Sequence, residues 1–124
     1  MSIKLLVVED DLMARIVAKS ILTQLGYEFD IAENGEEAME LFKKNKYDFV
    51  FMDIGLPGMS GIDATRKLRE LEKTGNSVPI VALTAHAEES YKTLGLEAGM
   101  QEFVLKPLTK EVAQAIINKY VKKQ

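Results

Sequence analysis

Four short apolar runs in this chain each end on a residue able to do chemistry. Glu9-Asp10-Asp11 follow the first, Asp53 closes Phe49-Val50-Phe51-Met52, Thr84 ends a third run and Lys106 a fourth. Carboxylates gathered at one place repel, and one stays partly protonated unless a cation sits among them. Oxygen ligands without His or Cys select a hard cation, Mg²⁺ or Mn²⁺ rather than Zn²⁺. Such an ion keeps several waters and shares its shell with phosphate, so the group points to phosphoryl chemistry. Asp53 is the candidate nucleophile, since carboxylates form aspartyl phosphates. The metal and Lys106 would neutralise charge developing on the transferring oxygens. The competing reading of Glu9-Asp10-Asp11 is a solvated helix start, where acids complement the dipole; the company of Asp53, Thr84 and Lys106 weighs against it.

That company depends on the elements that carry it. Ile3 to Val8, Tyr27 to Ala32, the run ending at Asp53, Val78 to Leu83 and Glu102 to Leu105 read as strands. The third is apolar enough to be buried on both faces of a parallel sheet. Pro79 falls at the second residue of the fourth, where a missing N–H is tolerated. Between them lie stretches of helical spacing. Ala14, Val17, Ala18, Ile21, Leu22 and Leu25 close on Gly26 as a C-cap, and Asn34 with Glu37 marks a capped start. Ser60 caps a helix whose Ala64, Leu68 and Leu71 face inward, Tyr91, Leu94 and Ala98 mark a fourth helix, and Thr109 caps the last. Strict alternation predicts an α/β fold, (βα)5, with a parallel sheet, helices on both faces and right-handed crossovers. The strand order stays open between a flavodoxin-like 2-1-3-4-5 and a truncated Rossmann-type sheet. In either, ligands bind beyond the carboxyl ends of the strands, where all the reactive residues fall.

The 124 residues predict a single domain, 1–124, large enough for one core. With no Cys there is no disulfide framework and no thiolate metal site. Net charge is −3 and no Lys/Arg cluster is longer than Lys122-Lys123, so a nucleic-acid footprint is missing. No run approaches a membrane span or a signal peptide. The expected location is cytoplasmic, with no membrane contact by this domain.

These motifs, in this order and spacing, resemble a response-regulator receiver domain of two-component signalling, over all 124 residues. Glu9-Asp10 resembles the family's acidic pair, Asp53 its phosphoacceptor, Thr84 its switch hydroxyl, Phe103 its switch aromatic and Lys106-Pro107 its Lys-Pro signature. The resemblance implies the flavodoxin-like three-layer sandwich with order 2-1-3-4-5. It implies that Asp10, Asp53 and the main-chain oxygen of Gly55 bind Mg²⁺ directly, that Glu9 acts through water, and that Lys106 pairs with a phosphoryl oxygen. It implies a cis bond before Pro107, and a phosphohistidine donor on a histidine kinase or histidine phosphotransfer protein. Phosphorylation, adding about −1.5 to −2 charges, would draw Thr84 inward and let Phe103 follow. Thr84-Ala85-His86-Ala87 resembles receivers fused to hybrid sensor kinases; the chain is either a free receiver or a piece of a longer protein.

Gly55 has no side chain to order a hydrolytic water, and His86, the one histidine, would screen or position water; both are expected to tune phosphoryl lifetime. The last helix carries two apolar stripes, Val112, Ala115, Ile116, Tyr120 and Ala113, Ile117, Val121. The second stripe, with Tyr91 and Leu94, is a candidate homodimer or output-partner surface, or simply one wide buried face. Two other functions compete. A Mg²⁺-dependent phosphatase would usually show an acid two residues after the nucleophile, where Gly55 stands. A mononucleotide or flavin binder needs a Gly/Ser/Thr-rich loop after the first strand, where three acids stand. A pseudo-receiver that binds partners without phosphorylation is the remaining alternative.

Overall fold

The computed structural model describes residues 3–56, 58–72, 77–85 and 89–121. Strands β1 (Lys4–Val8), β2 (Glu28–Ala32), β3 (Phe49–Asp53), β4 (Ile80–Thr84) and β5 (Glu102–Leu105) alternate with helices α1 (Leu12–Leu25), α2 (Gly35–Lys44), α3 (Gly61–Leu71), α4 (Glu89–Ala98) and α5 (Lys110–Tyr120). All strand pairings are parallel, in the order β2-β1-β3-β4-β5. This is the flavodoxin-like order, and the Rossmann alternative falls. β3 lies at the centre, buried along its whole length.

The period-2 alternation of β3 divides the core. Phe49 and Phe51 join Leu5, Val7, Val81 and Leu83 under α1 and α5, while Val50 and Met52 join Leu6, Val8, Ile80 and Ala82 under α2, α3 and α4. Each fully buried Leu or Phe removes enough apolar surface to contribute about 1.5–3 kcal/mol, so sheet position is fixed by many such residues at once. The helices begin on side-chain caps: Asp11 accepts from Ala14 N, Asn34 from Glu37 N, Ser60 from Asp63 N and Thr109 from Val112 N.

At the amino end of the sheet, away from the acids, Arg69 ties three elements. Its guanidinium donates to Gly99 O at 2.6 Å and 3.1 Å, pairs with both oxygens of Glu72 at 2.8 and 2.9 Å, and reaches Gln101 Oε1 at 3.1 Å. Glu72 and Gln101 in turn accept the N–H groups of Val78 and Ile80.

Several details differ from the sequence reading. β4 starts at Ile80, so Pro79 lies before the strand rather than within it; its carbonyl still accepts from Val50 N at 2.9 Å. In α4 the buried residues are Gly95 and Ala98, and Tyr91 and Leu94 are exposed, as the candidate partner surface requires. In α5 the stripe offered as a partner surface is instead the buried one at Ala113 and Ile117, which the sheet covers with Ile116, while Val112 and Ala115 of the other stripe are exposed. Both helices flank β5, an edge strand, so part of each apolar face has no layer to cover it. Lys73 to Ser77 reads as a polar turn in the sequence, and of it Lys73 to Asn76 lie outside the described residues.

Candidate functional site

The carboxyl ends of β1, β3, β4 and β5 bring Glu9, Asp53, Thr84 and Lys106 to one rim, as parallel pairing requires. Main-chain bonds set the frame: Glu9 N donates to Ala32 O at 2.9 Å, Ile54 N to Leu83 O at 3.2 Å and Lys106 N to Thr84 O at 2.8 Å. Asp53 is 5% exposed and Glu9 1% exposed, unusual burial for carboxylates without a counter-charge. Lys106 provides one. Its Nζ lies 2.8 Å from Glu9 Oε1 and 3.2 Å from Asp53 Oδ1. Gly55 N donates to Asp53 Oδ1 at 3.1 Å, so the loop after β3 folds back on the carboxylate.

Glu9, Asp10 and Asp53 each present an oxygen within 4.8 Å of the others, a spacing that can hold a metal ion. The three acids after β1 divide by role. Glu9 points into the site and Asp10 stands exposed on its rim, but Asp11 is the N-cap of α1, its Oδ2 accepting from Ala14 N at 2.9 Å. The helix-start reading therefore describes Asp11 correctly and the other two not at all.

Burial raises the Asp53 carboxyl above the ordinary carboxylate range, and the nearby Glu9 raises it further; Asp10 and Lys106 oppose this without cancelling it. The Asp10 carboxyl is raised too, by its partial desolvation and then by Asp53. For Lys106 burial alone would favour the neutral amine, yet its close contact with Glu9 and the charges of Asp53 and Glu9 win, and the ammonium is held above its usual value. The site thus keeps a permanent cation facing carboxylates that compete for too little positive charge.

Two residues that sequence reasoning missed shape the site. Arg15 Nη1 donates to Asp10 O at 2.6 Å and Glu9 O at 3.2 Å, holding the β1–α1 loop from one turn into the helix. No spacing rule signals a side chain aimed at its own loop's carbonyls. Gly61, at the start of α3, packs against β3 so tightly that a Cβ there would lie 2.0 Å from Asp53 O. Its N–H donates to Ile54 O at 3.0 Å. The sequence showed a Gly after a capping Ser but not what it touches.

The remaining expected residues fall around this centre. Thr84 is buried at the end of β4, and Phe103, half-buried on β5, is in register with Ala82. The Lys106–Pro107 peptide is cis. His86 lies outside the described residues. Among the described residues, a Cβ added at Gly55 would meet nothing nearer than Asp53 Oδ1 at 3.9 Å, so they leave space beside the carboxylate.

Residues 5–118 match the response regulator receiver domain family. The aerobic respiration control sensor protein ArcB of Escherichia coli is 40% identical over 119 residues, covering 96% of this chain but 15% of that protein. Among solved structures, the receiver domain of the sensor histidine kinase PA1611 from Pseudomonas aeruginosa, with a magnesium ion coordinated in its active-site cleft, superposes with a TM-score of 0.89 at 32% identity, covering 99% of this chain and 100% of that one. The receiver domain of the Saccharomyces cerevisiae response regulator Ssk1, crystallised with the histidine phosphotransfer protein Ypd1, gives a TM-score of 0.87 at 28% identity, covering 96% and 88%. The chain belongs to the response-regulator receiver family of two-component phosphorelay signalling. It spans only a small fraction of the length of the hybrid kinases it resembles. Among the described residues no helix is long and apolar enough to cross a membrane.

Proposed function

We propose that the chain accepts a phosphoryl group on Asp53 from a phosphohistidine of a histidine kinase or histidine phosphotransfer protein, and passes on a change of conformation. The observation that carries this reading is the placement of Asp53. It ends the central strand, 3.2 Å from the Lys106 ammonium and within ligand distance of two more carboxylates. The all-oxygen donor set suits Mg²⁺: Asp10, Asp53 and the Gly55 main-chain oxygen would hold it, with Glu9 acting through water. When bound it supplies positive charge against the phosphoryl oxygens. An Asp53 oxygen attacks phosphorus in line, the phosphorus–nitrogen bond breaks, and its electron pair leaves with the imidazole, which is then protonated. Lys106, charged throughout, pairs with a phosphoryl oxygen. Alone the domain is an acceptor that catalyses its own phosphotransfer and autodephosphorylation, not a turnover enzyme. The reading places it on the cytoplasmic side, where its donor kinase draws on ATP. Intact mass after incubation with a small acyl phosphate, with and without Mg²⁺, tests it; no adduct in either condition would leave a pseudo-receiver.

The donor's docking surface lies beside the rim. Leu12, Met13, Ile16 and Val17 are exposed at the start of α1, next to a cleft of about 370 Å³ that also reaches Pro107 and Leu108. A patch of this kind on a polar protein marks an interaction site. Ile16→Asp is expected to slow transfer from a phosphohistidine protein about tenfold or more, the effect of losing ~1.4 kcal/mol of binding, while leaving phosphorylation by an acyl phosphate unchanged. Equal slowing with both donors would place the defect in the site rather than in docking. A second exposed apolar face, Tyr91, Leu94, Leu105 and Val112 on α4, β5 and α5, is the surface we assign to output, through a second copy or another protein, with Thr84 and Phe103 as the switch beneath it.

Gly55 and His86 set lifetime in this reading. Gly55→Asn fits the open space beside Asp53 and places an amide where water must approach, so it and His86→Ala should each change the rate of dephosphorylation, followed by loss of the adduct after donor removal. Unaltered phosphorylation and dephosphorylation rates for a variant would remove that residue from the account.

A further inference from the structure

Gly95 sits in α4 with its backbone buried, a position where glycine ordinarily weakens a helix. A Cβ there would lie 2.4 Å from Phe103 Cζ, 3.0 Å from Phe103 Cε2 and 3.0 Å from Met100 Sδ. Carbon atoms settle about 3.5–4.0 Å apart, so the tip of the Phe103 ring rests where any side chain at 95 would have to be. Met100 Sδ is the mobile end of a flexible side chain and can move aside; an aromatic ring cannot bend. Phe103 also lines a cleft of about 570 Å³ together with Thr84, Leu105, Val112 and Ile116. Phe103 thus rests against the helix backbone at Gly95 and borders open space that Thr84 also lines.

We infer that Gly95 is the positioning residue for Phe103: its bare backbone is the seat of the ring in the conformation seen here, and a side chain at 95 drives the ring out of that seat toward the cleft beside Thr84. The mechanical statement concerns the unphosphorylated chain. Its meaning for signalling, that α4 helps decide which position Phe103 takes, rests on the switch reading proposed above.

Two readouts test the seat without any phosphoryl donor, so a failure of Asp53 phosphorylation leaves them interpretable. In protein labelled with ¹³C at the Phe ring Cζ, the chain's five Phe give five ring ¹H–¹³C resonances, and Phe103→Leu identifies the one that disappears. Gly95→Ala should move that resonance while leaving the other four nearly in place; an unmoved Phe103 resonance overturns the inference. The second readout is the sign of a stability change. In the native background Gly95→Ala should lower the unfolding midpoint by roughly 4 °C or more through overpacking. In a Phe103→Leu background, where the ring tip is gone, the same change should raise it by about 3 °C, the usual gain for Gly→Ala inside a helix. The same sign in both backgrounds overturns the seat. Should Gly95→Ala not fold alone, recovery of folding by Phe103→Leu supports the inference, and no recovery counts against it.

Discussion

A chain carrying Asp53→Asn is expected to take no phosphoryl group from an acyl phosphate, with or without Mg²⁺, while the native chain is expected to take one and only with Mg²⁺. The amide keeps the shape of the carboxylate but has no charged oxygen to attack phosphorus. The loss should be complete by intact mass. An adduct surviving in the variant would move the acceptor elsewhere, and Asp10 would be the first residue to examine. The same substitution should affect stability in the opposite direction. The Asp53 carboxyl is raised in the folded chain, so the folded state binds its proton more tightly than the unfolded state does. Below the ordinary carboxylate value both states are protonated and nothing is lost. As pH rises from the ordinary carboxylate value to and through the raised folded value, the native chain loses stability, and above that folded value the loss is complete. Asp53→Asn removes that penalty. In metal-free buffer its unfolding midpoint should exceed the native one at pH 7, the gap closing as pH falls to the ordinary carboxylate range. Added Mg²⁺ should narrow the gap by stabilising the native chain, which binds it better.

Gly61→Ala is expected to cost about 3 kcal/mol, at the upper end for overpacking. The added Cβ meets Asp53 O at 2.0 Å, and its other near neighbours are Asp53 C and Ile54 Cα, both 2.8 Å away. These are main-chain atoms of the central strand, which cannot rotate aside as a side chain would. Either α3 withdraws from β3, opening the core around Ile62 and Ala64, or the end of β3 shifts and carries Asp53 from Lys106. Both outcomes lower the denaturant midpoint, and the second also slows phosphorylation in whatever fraction remains folded. A variant as stable as the native chain would show that this approach is looser than 2.0 Å implies.

How much of this could be read from the chain depends on what each feature needs. Strand ends were legible because Phe49 to Met52 and the other runs are short, apolar and abruptly terminated. Since parallel strands share one carboxyl edge, Glu9, Asp53, Thr84 and Lys106 could be placed together before any coordinates. Strand order was not in the periodicity, because β3 would look the same beside β1 or elsewhere in the sheet; it came through family resemblance. Asp10 and Asp11 are chemically identical neighbours, and which one caps α1 is settled by backbone direction within a single residue. The contacts of Arg15 and Gly61 are tertiary, with no sequence periodicity to announce them. Of the apolar stripes on α4 and α5, the sequence offered Tyr91 and Leu94 with Ala113, Ile117 and Val121 as one candidate surface; Tyr91 and Leu94 are exposed but Ala113 and Ile117 are buried, because helical spacing shows an apolar face without showing which side the sheet covers.

Three carboxylates facing one ammonium leave the cleft with two uncompensated negative charges, the charge of one dication. A phosphate group approaching the bare cleft meets net repulsion, and a dication alone leaves part of its oxygen shell to water. Each ligand therefore improves the site for the other, and by thermodynamic reciprocity the factor is the same in both directions. In the proposed function the cleft is a coincidence detector: occupancy tracks the product of free cation and donor rather than either alone, and a fall in free Mg²⁺ would mute the signal without any change in the kinase.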